Sequence, residues 1–348
     1  MEAFVTSVGN DFGYIDVPGT RLTDRFLIML SGPVSMFSYH DMGSCPPVHY
    51  PPQMMFFARH FDMPEDAYLT VKQLTDGYDP DPFETVHYLA FYDTAFRRTG
   101  IKLPALNNYL PISEIAQFRS GYGRNATYVV FHCDDPIGED SHDHMDCGHF
   151  SIQSMGENFF IDLGSNNYNV KNYYKCYRLR AEGHNCAVFN PGMGWDQKYG
   201  GTAKIVLFSA DDNGGFAVGD LTDAYHRDNG VIRYLRSVEF DAATEAVKVR
   251  DDFVLDRPAD FWWFAHTRGN IQLSDDGKKA FVTVNGKTML AEIYGDDVSF
   301  TAMKAGPLPG CPDEPDRDRD DDVSKLVIHI ENCRTNSLCV RFEKVQIY

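Results

Sequence analysis

Five side chains able to bind a metal or move a proton, His142, His144, Asp146, His149 and Asp162, are packed into the stretch GEDSHDHMDCGHFSIQSMGENFFIDLG. In an extended chain side chains two apart share a face, so His142, His144 and Asp146 project together. Imidazole nitrogen and carboxylate oxygen are the donors zinc takes in a tetrahedral arrangement, and a neighbouring acceptor commonly fixes the ring tautomer. A further histidine, His184 in EGHNCAVFN, stands at the start of a predicted strand and can complete a ligand set. A single histidine here would more often be a satisfied polar residue at a sheet edge. HxHxD followed by an isolated aspartate and then His-Asn shifts the reading to a metal cluster. Cys147, Cys176 and Cys186 lie nearby but have no zinc-type spacing and are read as core residues.

Strand geometry limits how such a cluster can form. A hairpin turning at Gly156-Glu157 would pair Asp162 with about Ser151, well short of His144. The segment from Asp140 to Asp146 is therefore expected to curl back over the strand ends, or the ligands to lie on one rim.

Two kinds of segment must position these residues. Between residues 22 and 118, LTDRFLIMLSG, PPQMMFFARHF, EDAYLTVKQLTDGY and PFETVHYLAFYDTAFRRTG carry apolar residues at three- and four-residue spacing, predicting short amphipathic helices. After about Ser120 the pattern changes to short alternating or apolar runs such as ATYVVFHC, HFSIQS, NFFIDLG, AKIVLFSA, VIRYLRSVEF, AVKVRDDFVL, FWWFAHT and KLVIHIEN. Turn signals at Met155-Gly156-Glu157-Asn158, Asp212-Asn213-Gly214-Gly215, Asp276-Gly277 and Asn285-Gly286 separate them. The predicted fold is mainly β, a large antiparallel β-sandwich over residues 119–348 preceded by an α-helical region over 1–118. CPDEPDRDRDDD, from Cys311 to Asp322, reads as an exposed acidic loop without EF-hand spacing.

Composition narrows the partners. With 32 Lys and Arg against 50 Asp and Glu, the net charge of −18 repels a phosphate backbone, which excludes nucleic acid as an expected partner. An anionic polymer would need a local basic lining, which Arg119, Arg124, Lys171, Lys175, Arg178 and Arg180 could supply, although such residues are more often solvated or ion-paired on a surface. The eight scattered cysteines suit reduced thiols. MEAFVTSVGNDFGYID lacks a basic region followed by an apolar core, and no run of 18 apolar residues occurs, so a soluble chain is expected, cytoplasmic as it stands and without a membrane partner.

SGYGRNATYVVFHCDDPIGEDSHDHMDCGHFSIQSMGENFFIDLGSNNYN followed by YRLRAEGHNCAVF resembles the heparinase II/III family of polysaccharide lyases, with its His-x-His-x-Asp-x-Gly-x-Phe segment, Asp-x-Gly strand end and His-Asn strand start. YLRSVEFDAATEAVKVRDDFVLDRPADFWWFAHT is similar to that family's later sandwich strands, and MFSYHDMGSCPPVHYPPQMMFFARHFDMPEDAYL resembles the last helices of its (α/α) toroid. The resemblance implies that His144, Asp162 and His184 ligate a structural zinc, that His142 faces the substrate carboxylate, and that Tyr168 serves catalysis or sugar contact, with Tyr173, Tyr174 and Tyr177 as rivals. It also implies β-elimination of a uronic-acid-containing polysaccharide or oligosaccharide. Residues 1–118 hold too little helix for a whole toroid, and Thr20 stands where the family's toroid tyrosine would align, with Tyr14 as a shifted substitute. The expectation is therefore a lyase, as a truncated or split chain completed by a toroid partner or a second copy. Its alternative is a non-catalytic, zinc-stabilised carbohydrate-binding or assembly module, and a metal-dependent hydrolase is a third reading.

Overall fold

The computed structural model describes residues 7–97, 103–135, 142–192, 196–225 and 229–345, and the chain forms two compact units. One comprises residues 1–31 and 48–105, the other residues 32–47 and 106–348. The boundary thus falls before Leu106 rather than at 118/119, and a segment embedded among the helical signals belongs with the strands.

The first unit is helical: α1 (Thr23–Leu30), α2 (Gln53–His60), α3 (Pro64–Thr75) and α4 (Pro82–Phe91). Helix α4 starts where the Asp81 carboxylate accepts the Glu84 amide proton at 2.8 Å and Pro82 supplies a preset φ. Met55, Ala58, Ala67, Tyr88 and Phe91 form its core, and Arg25 pairs with Asp66 at 2.9 Å. None of these helices is long and apolar enough to cross a membrane, nor is any other among the described residues.

The second unit is a sandwich of two antiparallel sheets. The smaller runs in sequence order through β1 (Asn108–Leu110), β2 (Ile115–Arg119), β3 (Tyr128–His132), β4 (Phe150–Ser154) and β5 (Glu157–Phe160). Strand β2 was read with the helical region; all five of its residues are buried, so it shows no alternation to mark it. The larger sheet is built from β6 (Ala187–Phe189), β7 (Lys204–Asp211), β8 (Gly214–Asp220), β9 (Val231–Asp241), β10 (Ala246–Thr267), β11 (Asn270–Leu273), β12 (Lys279–Val284), β13 (Lys287–Tyr294), β14 (Phe300–Lys304) and β15 (Ser324–Lys344). AVKVRDDFVL and FWWFAHT, read as separate strands, are continuous in β10. Pro258 sits where the β10–β15 ladder slips between Val254 and Ala259, a place where its missing N–H is tolerated.

The inner faces of both sheets share one core. Phe150 of β4 meets Trp263 of β10 at 5.8 Å and Phe342 of β15 at 5.9 Å, and Phe160 of β5 meets Phe342 at 4.8 Å between ring centroids. Met155 and Gly156, at φ 54° and 78°, form the two-residue turn of the β4–β5 hairpin. The ladder slips by one between Ile152 and Gln153 and pairs Ile152 with Phe160. Continued past Phe160, that register brings Asp162 beside Phe150 rather than Ser151, and so next to His149.

Candidate metal centre and carboxylate cradle

The site lies where β4, β5 and β6 end and where residues 32–47 cross the second unit. Before β4 the chain curls: the His149 amide bonds the Asp146 carbonyl at 2.9 Å, Gly148 takes φ 90°, and the Met145 amide bonds the Leu179 carbonyl at 2.9 Å. The expected curl is therefore present over residues 142–149; its part at Asp140 and Ser141 lies outside the described residues.

Asn185 and Arg236 lock the strand ends together. The fully buried Asn185 amide donates to the carbonyls of Phe150 at 2.7 Å and Ile161 at 3.1 Å and accepts the His266 amide proton at 2.7 Å. Arg236, also fully buried, donates from Nη1 to the carbonyls of Gly148 and Asn185, both at 2.8 Å, while Nε bonds Asp251 at 2.7 Å. The carbonyls it holds belong to the neighbours of His149 and His184.

His149, Asp162 and His184 are all buried, and one donor atom from each lies within 4.8 Å of the others. Proximity therefore adds His149 to the residues selected by resemblance. Hydrogen bonding distinguishes the histidines differently. His184 Nδ1 contacts Asp162 Oδ2 at 2.6 Å and His144 Nε2 contacts Asp41 Oδ1 at 3.0 Å, so each ring gives its proton to a carboxylate. The opposite nitrogens, His184 Nε2 and His144 Nδ1, are buried lone pairs with no hydrogen-bond partner among the described residues. His149 Nδ1 instead accepts the Asn185 amide proton at 3.1 Å, which leaves the proton on Nε2. Its lone pair is spent.

Two buried histidines with unpaired lone pairs, each ring held by a carboxylate, are donors of the kind zinc takes, and Asp162, against His184 Nδ1, brings a carboxylate into the same buried cluster. The rings of His144 and His184 lie 5.4 Å apart between centroids. Burial alone would raise the Asp162 carboxyl, but the charge and hydrogen bond of His184 bring it down to about 2. Burial would lower His184, and Asp162 outweighs it to hold the ring raised. Burial drives His149 down to about 4.

Sequence reasoning missed Asp41. Its carboxylate receives His142 Nδ1 at 2.6 Å and the Tyr168 hydroxyl at 2.5 Å on Oδ2, and the Tyr173 hydroxyl at 2.8 Å and His144 Nε2 at 3.0 Å on Oδ1. Burial would raise this carboxyl, yet these four contacts hold it well below the ordinary carboxylate range. The hydrogen bond to Asp41 raises the Tyr168 phenol, whose ring stacks on Tyr173 at 4.9 Å and remains 57% exposed. His142 and Tyr168 are thus together on an open face, and His144 links that face to the buried cluster. Tyr177 is elsewhere, buried with its hydroxyl 2.7 Å from His266 Nε2. HxHxD gives no clue to Asp41, which arrives from a segment more than a hundred positions upstream.

The expected basic lining is reduced. Arg178 is paired with Asp320 at 2.9 Å, Arg180 is buried against Glu182 and Asp196, and Arg119 is buried with Tyr122 and Tyr128 at 4.7 and 4.9 Å from its guanidinium. Lys171 and Lys175 are exposed beside Tyr173. Part of the acidic 311–322 loop is held by ion pairs, including Arg317 to Asp313 at 2.6 Å, with Asp320 buried, rather than simply solvated.

The family model described as Heparinase II/III-like, C-terminal, matches residues 109–325. Among solved structures, a heparinase III superposes with TM-score 0.70 at 11% identity, covering 99% of this chain and 50% of its own. The heparan sulfate lyase HepC from Pedobacter heparinus superposes with TM-score 0.66 at 15% identity, covering 93% of this chain and 46% of its own. The chain therefore spans about half the length of these proteins. Comparison with curated protein sequences found no match.

Proposed function

Because the chain belongs to the heparinase II/III-like family, we propose that it acts in β-elimination on a uronic-acid-containing polysaccharide, with its sandwich supplying a carboxylate cradle and a zinc-organised scaffold. One observation carries this reading: His142, His144, Tyr168 and Tyr173 converge on a single carboxylate, that of Asp41. Donors that crowd around one carboxylate can neutralise another. A uronate whose carboxylate is so neutralised loses its adjacent C–H proton more readily, because the enolate-like charge that develops is stabilised.

In the reaction a base removes the proton next to the carboxyl group. The electron pair forms the carbon–carbon double bond, and the glycosidic oxygen departs with its bonding pair and takes up a proton. Tyr168, kept protonated by Asp41, suits the donor of that proton. His142, in contact with both Asp41 and Tyr168, suits the group facing the substrate carboxylate. His144, Asp162 and His184 would hold zinc, which when bound supplies positive charge that fixes the loop ends. Lys171 and Lys175 would offer the anionic polymer local positive charge.

A second reading has its own support. The exposed Tyr168 ring stacked on half-buried Tyr173 also suits a non-catalytic carbohydrate-binding or assembly module. Incubation with a panel of uronate polymers separates the two. The lyase reading expects ultraviolet-absorbing unsaturated ends, lost in Tyr168→Phe; polymer binding without such ends would establish the module instead. Within either reading His144→Ala is expected to lose zinc, whereas His142→Ala keeps the metal and loses turnover or sugar affinity.

A further inference from the structure

We propose that His40, His132 and Asp134 form a second divalent-cation site, distinct from the His144–Asp162–His184 cluster and of the type that takes zinc or a similar first-row ion. One donor atom from each of the three lies within 4.8 Å of the others. They come from two parts of the second unit: His132 ends β3, Asp134 follows two residues later, and His40 lies in the crossing segment.

The decisive residue is His132. It is fully buried, and neither ring nitrogen has a hydrogen-bond partner among the described residues. Nε2 faces Asp134 Oδ2 at 3.9 Å and Nδ1 faces Asp146 Oδ1 at 3.8 Å. Both distances are too long for hydrogen bonds. Two ligands of one tetrahedral zinc, with bonds near 2.0–2.1 Å, stand about 3.3 Å apart, so about 0.3 Å of movement on each side brings Nε2 and Oδ2 to ligand spacing.

Asp146 supplies the orienting carboxylate. It is fully buried, its Oδ2 accepts the His40 amide proton at 2.9 Å, and its Oδ1 has no hydrogen-bond partner among the described residues. That oxygen faces Nδ1 of His132 at 3.8 Å and Nδ1 of His40 at 3.5 Å. His40 Nδ1 also accepts the His144 amide proton, at a long 3.3 Å, so the ring must exchange that contact for Asp146 Oδ1 before its Nε2 lone pair is free for an ion. A carboxylate that takes the Nδ1 protons of both rings leaves both Nε2 lone pairs for an ion, the arrangement in which carboxylates orient metal-bound imidazoles.

Backbone strain marks the same place. Asp134 has φ 81° and His40 has φ 49°, conformations costly for residues with a Cβ. Asp134 is held there by reciprocal backbone hydrogen bonds with Ala203, both 3.1 Å. Phe37 packs between the two histidine clusters, 6.3 Å from His132 and 5.8 Å from His149 between ring centroids. An ion at this site would clip the crossing segment to the end of β3 immediately beside Asp41, and so fix the carboxylate on which the cradle converges.

The test is zinc stoichiometry of the chelator-stripped full chain, read by elemental analysis and by competition with a chromophoric chelator. Wild type is expected to take up two zinc ions. Asp134→Asn and His40→Asn, which tolerate positive φ, are each expected to weaken one ion at least tenfold while circular dichroism of the stripped protein is unchanged. Asp162→Asn is expected to weaken the other. A wild-type chain holding one zinc, weakened by Asp162→Asn and indifferent to Asp134→Asn and His40→Asn, overturns the second site and leaves the first. One zinc weakened by Asp134→Asn and indifferent to Asp162→Asn supports the second site and removes the first.

Discussion

Replacing Arg236 with Met should be among the most damaging single changes in the sandwich. The guanidinium is fully buried and pairs with Asp251 through Nε at 2.7 Å and Nη2 at 3.2 Å, while Nη1 bonds the carbonyls of Gly148 and Asn185. Removing one member of a buried pair costs about 3–5 kcal/mol, because the other charge is left without its partner. Two carbonyls deprived of a donor add about 1 kcal/mol each at the lower end of the measured range. The sum is about 5–7 kcal/mol, comparable with the whole stability of many domains. Adding Asp251→Leu removes the stranded carboxylate and should recover about 3 kcal/mol, leaving mainly the carbonyl cost. Tyr234, whose hydroxyl donates to Asp251 at 2.6 Å, loses an acceptor in that variant and keeps the recovery incomplete. Urea unfolding followed through the buried Trp263 measures both, and zinc competition on the folded fraction should show affinity reduced about 10–100-fold. A loss below about 1.5 kcal/mol in Arg236→Met, or a double variant no more stable than the single one, would refute the argument that this cation braces the ligand-bearing strand ends.

Three further outcomes follow from individual contacts. Asp41→Asn should lower the Tyr168 phenol toward its ordinary range, since the hydrogen bond to the carboxylate is what raises it; a tyrosine-resolved NMR titration that shows no movement would contradict the cradle. Burial lowers Lys325 from 10.5 to about 7, so the unfolded chain binds the extra proton between those values and stability contributed here rises with pH through that window. Relative to Lys325→Met, wild-type stability should climb about 1.4 kcal/mol per pH unit around pH 8–9, and a flat difference curve would remove the claim. Gly164→Ala should cost about 2–4 kcal/mol in thermal or urea unfolding, because Gly164 sits at φ 73° and an added Cβ would lie 2.5 Å from the Ser44 nitrogen and 2.6 Å from the Met42 carbonyl oxygen, neither free to yield; an unchanged midpoint would contradict it.

The sandwich was legible because its half-buried strands alternate and its hairpins carry Asn-Gly or similar turns. β12 and β13 show both, joined at Asn285 and Gly286 with φ 46° and 79°. β2 escaped notice because a strand buried on both faces has no period, and β11 and β14 because they are short. In the site, local spacing pointed to the stretch holding His142, His144 and Asp162, but the hairpin turns at Met155-Gly156 rather than at Gly156-Glu157, which carries Asp162 toward His149, and the slip between Ile152 and Gln153, which undoes half of that shift, has no signature in FSIQSMGENFF. Asp41 was hidden for a different reason: its partners are His142, His144, Tyr168 and Tyr173, none nearer than a hundred positions in sequence. No pattern within one segment reports a carboxylate delivered by another.

The bridge between Gly43 and Gly164 bears on how such a protein can be divided. Residues 32–47 add no strand to either sheet, yet they bring His40 and Asp41 to the site, and the chain then leaves for the helices of residues 48–105 before returning at Leu106. A recombinant fragment starting at Leu106 would hold every strand and all of His142, His144, Asp162, Tyr168 and His184, and still lack the carboxylate on which His142, His144 and Tyr168 converge. Gene boundaries drawn around the sheets would cut through the site. The transferable module is discontinuous, and any exchange between relatives that moves the sandwich without this segment moves a scaffold and leaves part of its chemistry behind.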